Sequence, residues 1–508
     1  MPLDLLIVSP SSKGVYHKKQ EASSYAAVEP PYQAALTAEF VRRNGYDVRI
    51  LDANAENLTT TETAEQIKEA NPRLVHVVVH GNQPSASSQL MTWTNTMMGE
   101  VKARANTPIM LSGTHPAALP ERTLREGADF VARGDGFYTP LSLLKGNKLD
   151  QVPGLWFIDN GALKSGPPEK LMNTREMSEG IPRAAWDLLP MEKYRAHDWH
   201  CLDNLDARQP YAAIYTSFGC PFSCTFCCIN APFNEGGTTK NQLRTRDPKL
   251  IVDELESLVT EHGVRNVKFI DEMYVFDRKH YLSIADEIIH RGLGDKLNIW
   301  AYARVDTIKE GLLDKLKQAG INWLVLGIES GSAHVRADVA KGKFGESDIV
   351  RNVRAVQQAG INVLGNYIFG LPDENISSMQ ATLDLAAELA CERPNFYSAM
   401  AYPGSELHRM AQQGRLPLPP QWPKGRALLP EDAGGPGWIG YSQHAYECWP
   451  LPTAHLIPEE VLAFRDKALS YYTSPSYVEV VRKRFGQKAV DLFCPNNAAE
   501  PKRMILGK

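Results

Sequence analysis

Short apolar runs alternate with amphipathic segments over the first 145 residues of the chain. Runs of β type lie at 3–8, 47–52, 73–79, 107–112 and 128–132. Segments with helical periodicity lie between them, near 31–44, 62–70, 86–105 and 117–127. This alternation predicts a parallel sheet with helices on both faces. We therefore expect a first α/β domain of five strands at 1–145.

A second series of strands and helices begins at residue 211. Its strands are expected at 211–217, 266–271, 298–304, 322–328, 363–369 and 395–401. The first helix between these strands has clear ends: Asp247 and Pro248 are a typical N-cap and first-turn pair, and Gly263 is a typical C-terminal residue. Six strands are two short of a closed (βα)₈ barrel. We expect a partial (βα)₆ TIM-type barrel over 206–405, with a lateral opening for a large substrate or second cofactor.

The remaining segments are less periodic. Residues 146–205 are interrupted by prolines and are interpreted as a connector. Residues 406–508 begin with a stretch rich in Pro, Gly and Trp and end in a helical region from about 457 to 485. They predict a small, mostly helical C-terminal domain or lid.

Composition narrows the class of protein. The 508 residues carry a formal net charge of −4 with no long basic run, which argues against nucleic acid or an anionic membrane as the main partner. No stretch of ~18 consecutive apolar residues occurs, as a membrane span would require. These features predict a cytoplasmic protein.

Four of the eight cysteines lie between positions 220 and 228, which favours metal chemistry over a disulfide framework. The stretch GCPFSCTFCC, 219–228, gives Cys220-x₃-Cys224-x₂-Cys227 directly after the first barrel strand. Three thiolates can bind three irons of a [4Fe–4S] cubane and leave the fourth iron open. The alternatives are a structural zinc site, which needs four ligands, and inert packing. Cys228 is interpreted as a packing residue.

Residues 211–405 resemble the radical S-adenosylmethionine (SAM) superfamily, whose CxxxCxΦC loop is matched by Cys220, Cys224, Phe226 and Cys227. The resemblance implies that the cysteines bind a [4Fe–4S] cluster and that Phe226 packs near the adenine. It also implies SAM contacts at later strand ends: Asp271, Glu272, Arg304, Glu329, Ser330 and Leu371. Asp271 and Glu272 replace the Gly-Gly-Glu common in the family. Taken singly, each position could be an ordinary capped turn.

The first domain is flavodoxin-like or Rossmann-like, but no GxGxxG follows its first strand, so a dinucleotide is not expected. Its loops HGNQPSASS, SGTHPAALPE and RGDGF resemble those of the cobalamin-binding domain in cobalamin-dependent radical SAM enzymes. The resemblance implies cobalamin contacts from Asn82, Gln83, Ser85, Gly113, Thr114, His115, Gly134 and Gly136. The DxHxxG motif that supplies a histidine to cobalt is absent. The alternative is an interaction domain without cofactor, in which His76, His80 and His115 only form hydrogen bonds.

The C-terminal stretch GWIGYSQHAYECWPLPT, 437–453, concentrates polar side chains among aromatic ones. Tyr441 and His444 are its candidate catalytic residues, as part of a substrate pocket. Packing of a lid is the alternative.

Together these features predict a cobalamin-dependent radical SAM methyltransferase, a biosynthetic enzyme acting on an unactivated carbon of a small molecule. One SAM would methylate cob(I)alamin, and a second would be cleaved by the cluster, with an external electron donor, to a 5′-deoxyadenosyl radical. The substrate radical would take the methyl group from methylcobalamin. The alternatives are a cobalamin-containing radical SAM enzyme of cyclisation, rearrangement or epimerisation, and an iron–sulfur or corrinoid sensor without turnover.

Overall fold

The computed structural model describes residues 3–12, 26–81, 83, 85–233, 242–342 and 344–507. Strands in these residues are β1 (Leu5–Ser9), β2 (Val48–Asp52), β3 (Leu74–Val78), β4 (Ile109–Ser112), β5 (Phe130–Ala132), β6 (Leu155–Asp159), β7 (Ala162–Ser165), β8 (Tyr211–Ile214), β9 (Ser217–Phe218), β10 (Arg244–Thr245), β11 (Asn266–Phe269), β12 (Asn298–Arg304), β13 (Ile321–Glu329), β14 (Asn362–Phe369) and β15 (Arg393–Ser398).

Helices in the same residues are α1 (Tyr32–Arg43), α2 (Thr60–Ala70), α3 (Ala86–Lys102), α4 (Thr114–Ala118), α5 (Pro120–Arg125), α6 (Tyr138–Leu144), α7 (Thr174–Gly180), α8 (Pro248–His262), α9 (Arg278–His290), α10 (Leu313–Gln318), α11 (Ala333–Asp338), α12 (Glu346–Gln358), α13 (Ile376–Leu389), α14 (Glu406–Gln412), α15 (Pro458–Ala468), α16 (Pro475–Phe485) and α17 (Gln487–Ala498).

The first sheet has the strand order β2-β1-β3-β4-β5-β6-β7. Strands β1 to β5 are parallel, as the sequence predicts, whereas β6 and β7 join antiparallel to the β5 edge. These two strands come from the segment interpreted as a connector. They pair there because Leu155 and Phe157 of β6 are buried in a small cluster with Val152.

The second sheet has six parallel strands in the order β8-β11-β12-β13-β14-β15. Within the described residues, no ladder pairs β15 with β8, so the sheet forms an open barrel wall. The prediction of six parallel strands is confirmed. The carboxyl ends of all six strands lie at one rim, where barrel active sites are built.

Local signals set several helix boundaries. The carboxylate of Asp247 accepts from the backbone N–H of Lys249 at 2.8 Å and caps α8, and Gly263 ends the helix with a φ of +64°. Two 3₁₀ turns, Val305–Thr307 and Glu310–Leu312, precede α10.

Buried polar contacts hold the two sheets together. The hydroxyl of Tyr32 in α1 donates to Glu254 of α8 at 3.0 Å, and the guanidinium of Arg246 donates to Glu254 at the same distance. The indole N–H of Trp186 donates to the other oxygen of Glu254 at 2.8 Å. The C-terminal region ends in α15 to α17, and α15 packs on β15. Among the described residues, none of the helices combines the length and apolar character that a bilayer crossing requires.

Candidate active site at the facing sheet edges

The three cysteines predicted to hold a cluster lie in one loop after β9. Gly219 enters this loop with a φ of +80°, a conformation that glycine adopts without strain. Cys220, Cys224 and Cys227 keep part of their surface accessible, whereas Cys228 is buried. The loop therefore presents three thiols, and a cubane bound by three thiolates keeps one iron open.

The surroundings of the thiols favour their neutral form in the ligand-free chain. Burial raises the pKa of Cys220 to about 11 and that of Cys227 above its usual value. Because cluster ligands are thiolates, the positive charge of bound iron must offset this burial. Among the described residues, no three His, Cys, Asp or Glu side chains converge on a site for a single metal ion. Thiols that bind different irons of a cubane need not meet at one atom.

Arg304 ends β12 beside the cysteine loop. Its Nη1 lies 3.7 Å from the Sγ of Cys224, and its guanidinium lies 3.9 Å from the ring centroid of Phe222. The same guanidinium donates to both carboxylate oxygens of Asp306 at 2.9 Å. Arg304 is therefore bound to the carboxylate of Asp306, and its guanidinium holds the cysteine loop at Cys224.

The two carboxylates that follow β11 have different environments. Asp271 is fully buried and accepts from the backbone N–H of Thr216 at 2.6 Å and the hydroxyl of Ser217 at 2.9 Å. Glu272 is half-buried, and its Oε2 has no hydrogen-bond partner among the described residues. Burial raises the pKa of Asp271 to about 6 and that of Glu272 to about 8. The unpartnered oxygen of Glu272 is open to an ammonium group, whose positive charge would favour the ionised carboxylate. Asp271 instead holds the end of β8.

Glu329 ends β13 in a left-handed conformation with a φ of +68°, which is strained for a residue with a side chain. Its Oε1 accepts from the Nζ of Lys341 at 2.7 Å. A Cβ on Gly327 would lie 2.5 Å from each of these two atoms, so glycine leaves room for the pair. Burial alone would lower the pKa of Lys341, but Glu329 and Cys224 raise it. Lys341 was not predicted from the sequence. Its position in the AKG turn after α11 is the sequence feature that could have indicated it.

Ser330 and Leu371 act together through Glu374. The hydroxyl of Ser330 donates to Glu374 Oε1 at 3.1 Å, and Glu374 Oε2 accepts from the backbone N–H of Leu371 at 3.1 Å. Leu371 is fully buried, and Phe226 packs against the apolar cluster it forms with Val335, Val339 and Ala399. Phe226 and Leu371 thus form an apolar wall beside the cysteine loop, while Ser330 orders the loop after β14.

Three glycines shape the carboxyl edge of the first sheet. A Cβ on Gly113 would lie 1.9 Å from the carbonyl oxygen of Val79, and one on Gly134 would lie 2.1 Å from Glu169 Oε2. Gly136 has a φ of +77°, and its N–H donates to Glu169 at 2.9 Å. Side chains at these positions are sterically excluded or strained, because Val79 and Glu169 pack closely against the loops.

Thr114 and His115 are buried at the start of α4. Thr114 Oγ1 and His115 Nε2 have no hydrogen-bond partner in the described part of the chain. The other ring nitrogen of His115 lies 3.0 Å from the hydroxyl of Ser88, and the ring of Trp438 covers it at 4.3 Å between centroids. Burial lowers the pKa of His115 to about 3, so its ring is neutral.

The loop after β3 carries the remaining residues predicted to bind cobalamin. Gln83 is exposed and Ser85 is half-buried, whereas Asn82 lies outside the described residues. The Nε2 of His80 lies 3.0 Å from the hydroxyl of Tyr215. Because Tyr215 follows β8, this contact joins the carboxyl edges of the two sheets.

A second contact joins the same edges. Arg244 of β10 donates through both terminal nitrogens to the carboxylate of Asp135 at 2.7 Å. The two side chains are only 9% and 2% exposed. The guanidinium also lies over the rings of Phe218 and Phe233, on either side of the cysteine loop. The RGDG loop of the first domain is therefore fixed against the cysteine loop.

The two candidate residues of the C-terminal stretch lie in different surroundings. Tyr441 is fully buried, donates to Glu431 at 2.7 Å and stacks on Trp438, which is the position of a packing residue. His444 keeps an exposed ring although desolvation lowers its pKa to about 3.

The residues present fit the predicted cofactors. The three accessible thiols and the one open iron position suit a [4Fe–4S] cluster. The unpartnered Oε2 of Glu272 suits the ammonium of SAM. The Oγ1 of Thr114, which has no hydrogen-bond partner among the described residues, suits the polar rim of a large planar cofactor.

Two family models match this chain. The radical SAM superfamily matches residues 214–386, and a B12 binding domain matches residues 22–143. An uncharacterized methyltransferase of Pyrococcus horikoshii is 30% identical over 407 residues, which cover 79% of this chain and 82% of that protein. An anaerobic magnesium-protoporphyrin IX monomethyl ester cyclase of Cereibacter sphaeroides is 25% identical over 390 residues, covering 74% of this chain and 60% of the cyclase.

Among solved structures, the radical SAM methyltransferase TsrM of Kitasatospora setae, with tryptophan substrate and a SAM analogue bound, superposes with a TM-score of 0.64. The match covers 87% of this chain and 83% of TsrM at 18% identity. At this identity the likeness concerns the fold.

Proposed function

The chain belongs to the radical SAM superfamily and carries a B12 binding domain ahead of its radical SAM domain, and from this we propose that it is a cobalamin-dependent radical SAM methyltransferase. Its cofactors are a [4Fe–4S] cluster, SAM and cobalamin, and its substrate is a small molecule with an unactivated carbon. An external electron donor belongs to the proposal.

The observation that carries the proposal is the direct apposition of the two sheet edges. His80 meets Tyr215 at 3.0 Å, and Asp135 pairs with Arg244 at 2.7 Å. Loops suited to a methyl-carrying cofactor therefore face the loop suited to a radical-generating one. A methyl transfer to a carbon radical needs both groups at the same cavity, because the radical must meet the methyl group before it is quenched.

When bound, the cluster supplies the electron that cleaves SAM to a 5′-deoxyadenosyl radical, and cobalamin carries the methyl group that the substrate receives. The chain positions these groups. Cys220, Cys224 and Cys227 hold the cluster. Glu272 would receive the ammonium of SAM, and Lys341, which also binds Glu329, would be the cation nearest to its carboxylate.

Phe226 and Leu371 would form an apolar wall against which the adenine of SAM packs. The aligned loops of Gly113, Gly134 and Gly136, with Thr114, hold cobalamin by backbone and hydroxyl contacts.

Product analysis tests the proposal. The anaerobically reconstituted protein is incubated with reductant, a small-molecule extract and SAM that carries a trideuteromethyl group. Methylation must yield a deuterated product together with both S-adenosylhomocysteine and 5′-deoxyadenosine. Turnover without S-adenosylhomocysteine would overturn it in favour of a cyclisation, rearrangement or epimerisation, the candidate that the cyclase relative favours. A protein that binds both cofactors but releases no 5′-deoxyadenosine would be a sensor.

A further inference from the structure

The inward faces of three barrel strands enclose a solvent-accessible space. Successive residues of a strand point to opposite faces, and in β15 the outward Phe396 is buried while the inward Asn395 and Tyr397 keep accessible surface. Strand β14 repeats this with buried Tyr367. We call the space the barrel chamber; its lining residues are Tyr302, Asn366, Ile368, Asn395 and Tyr397.

The outward assignment rests on packing. The rings of Tyr367 and Phe396 lie 5.7 Å apart, and Phe396 lies 6.1 Å from Tyr472 of the C-terminal region. The alternate residues therefore face the barrel interior. In closed barrels this interior is filled by side chains, whereas here the inward side chains keep accessible surface.

Two amides meet on the chamber wall. Asn366 and Asn395 are neighbours in the β14–β15 ladder, and the Nδ2 of Asn395 lies 3.5 Å from the Oδ1 of Asn366. The Nδ2 of Asn395 also donates to the hydroxyl of Tyr397. Whichever way the amides are turned, a hydrogen-bonded amide pair leaves one donor and one acceptor uncommitted. We call Asn366 and Asn395 the amide pair.

The charged groups around the chamber are already paired. Lys268 binds Glu29 at 3.0 Å, and Lys341 binds Glu329 at 2.7 Å. Arg465, behind β15, pairs with Asp466 at 2.8 Å. Two groups are exceptions. Glu272 at the upper rim is assigned to the ammonium of SAM. Arg393, at the start of β15, has no carboxylate partner among the described residues, and its guanidinium donates to Asn497 of α17 at 2.7 Å and lies over the ring of Phe493. Away from these two groups, an ionised substrate group in the chamber would find no free counter-charge, and burying an unpaired charge is unfavourable.

We infer that the barrel chamber binds the substrate through an uncharged group with adjacent hydrogen-bond donor and acceptor, a carboxamide or lactam, and that the amide pair selects it. This inference rests on the proposed function, because it names the substrate class of that same site. The phenol of Tyr302, on the part of the wall formed by β12, supplies a further hydrogen-bonding group.

Matched neutral and acidic probes test the inference on the reconstituted holoenzyme. Binding of benzamide and 2-naphthamide is compared with that of benzoate and 2-naphthoate by ligand-detected NMR under anaerobic conditions. Each amide should bind about tenfold more tightly than its carboxylate, the effect of two well-placed hydrogen bonds. Equal binding, preference for the carboxylates or absence of amide binding would overturn the inference.

Variants locate the selectivity. Asn395→Asp keeps the side-chain shape but adds a charge and removes the donor, so the preference for amides should fall about tenfold. Asn496→Asp on the exposed surface of α17 is the matched control and should change nothing. If Asn395→Asp fails to bind cobalamin and cluster normally, Tyr302→Phe, which removes one hydroxyl, should still weaken amide binding about threefold or more. Unchanged selectivity in the folded variants would overturn the inference.

The same preparation separates the two proposals. Release of 5′-deoxyadenosine on reduction with SAM reports radical SAM chemistry and does not require the amide pair. If 5′-deoxyadenosine forms while amides and carboxylates bind alike, the substrate assignment fails and the proposed function stands. If amides bind selectively but no 5′-deoxyadenosine forms, the proposed function fails.

Discussion

At the scale of single residues, Glu272 and Asp271 are adjacent in the sequence but do different work. The carboxylate oxygens of Asp271 accept hydrogen bonds from Thr216 and Ser217, whereas one oxygen of Glu272 has no partner among the described residues. A buried oxygen without a partner is costly unless a ligand satisfies it. We therefore propose Glu272 as the carboxylate that receives the ammonium of SAM.

Glu272→Gln keeps the side-chain shape and removes its charge. We expect SAM binding to weaken about tenfold or more, because the ammonium loses a charge-assisted hydrogen bond. Equilibrium dialysis of the reconstituted protein measures this affinity. Glu261→Gln, at an exposed position of α8, is the control. Asp271→Asn should instead lower the free energy of unfolding, and equal SAM affinities for Glu272→Gln and the control would contradict the assignment.

Glu374 allows a pH test. Burial raises its pKa from the ordinary value of 4.5 to about 7. Between these two pH values the folded protein keeps a proton on Glu374 that the unfolded chain has lost. The stability from this proton is full below the ordinary pKa of glutamate and is lost as the pH rises through about 7. Urea unfolding of the ligand-free chain and of Glu374→Gln should show a stability difference that shifts by on the order of 3 kcal/mol between pH ~4 and ~8. A constant difference would contradict this.

At the scale of elements, the cysteine loop is defined by its spacing and by its supports. The N–H of Thr225 donates to Val339 at 3.2 Å, and that of Leu407 donates to Thr225 at 3.0 Å. These backbone bonds hold the loop between α11 and α14. Cysteine identity alone then decides metal binding.

Cys224→Ala removes one of three cluster ligands. We expect loss of the cluster and of 5′-deoxyadenosine formation, while the first domain still binds cobalamin. Iron and sulfide analysis and the visible spectrum measure both cofactors. Cys228→Ala, whose thiol is buried, is the control and should keep its cluster. Equal loss of both cofactors in Cys224→Ala would contradict the division into two binding units.

Element boundaries followed from local chemistry where a cap or stop was present. Asp247 and Gly263 bound α8 as predicted. Strands β6 and β7 were not predicted, because Leu155 and Phe157 become a strand only against the edge of β5. An element can thus be predicted from the sequence when neighbouring residues determine where it begins and ends, and not when it forms only by pairing with a distant strand.

At the scale of the whole molecule, buried ion pairs fix the two sheets against each other. Arg244 and Asp135 join the RGDG loop to the cysteine loop, and Tyr32 of α1 donates to Glu254 of α8, which also pairs with Arg246. The contacts of Asp135 with Arg244 and of Tyr32 with Glu254 could not be predicted, since their members lie far apart in the chain. The distance between the cofactor loops depends on them.

Asp135→Asn leaves the Arg244 guanidinium buried without its counter-charge. We expect the free energy of unfolding to fall by about 3 kcal/mol or more, measured by urea denaturation. Asp206→Asn breaks the exposed pair with Lys488, whose side chains are 84% and 66% exposed, and should cost less than about 1 kcal/mol. Equal losses would show that the sheet-to-sheet contact contributes nothing beyond a surface pair.

The sequence by itself determined the order of strands and helices, the two-domain plan and the three-cysteine loop, because alternation, caps and ligand spacing are local properties. Only the tertiary structure decided that Arg304 meets Cys224, that Lys341 meets Glu329, that Tyr441 is buried against Trp438 and that two asparagines meet on the barrel wall. These outcomes depend on which strand ends become neighbours and on which side chains lose water, and both arise only when distant parts of the chain pack together.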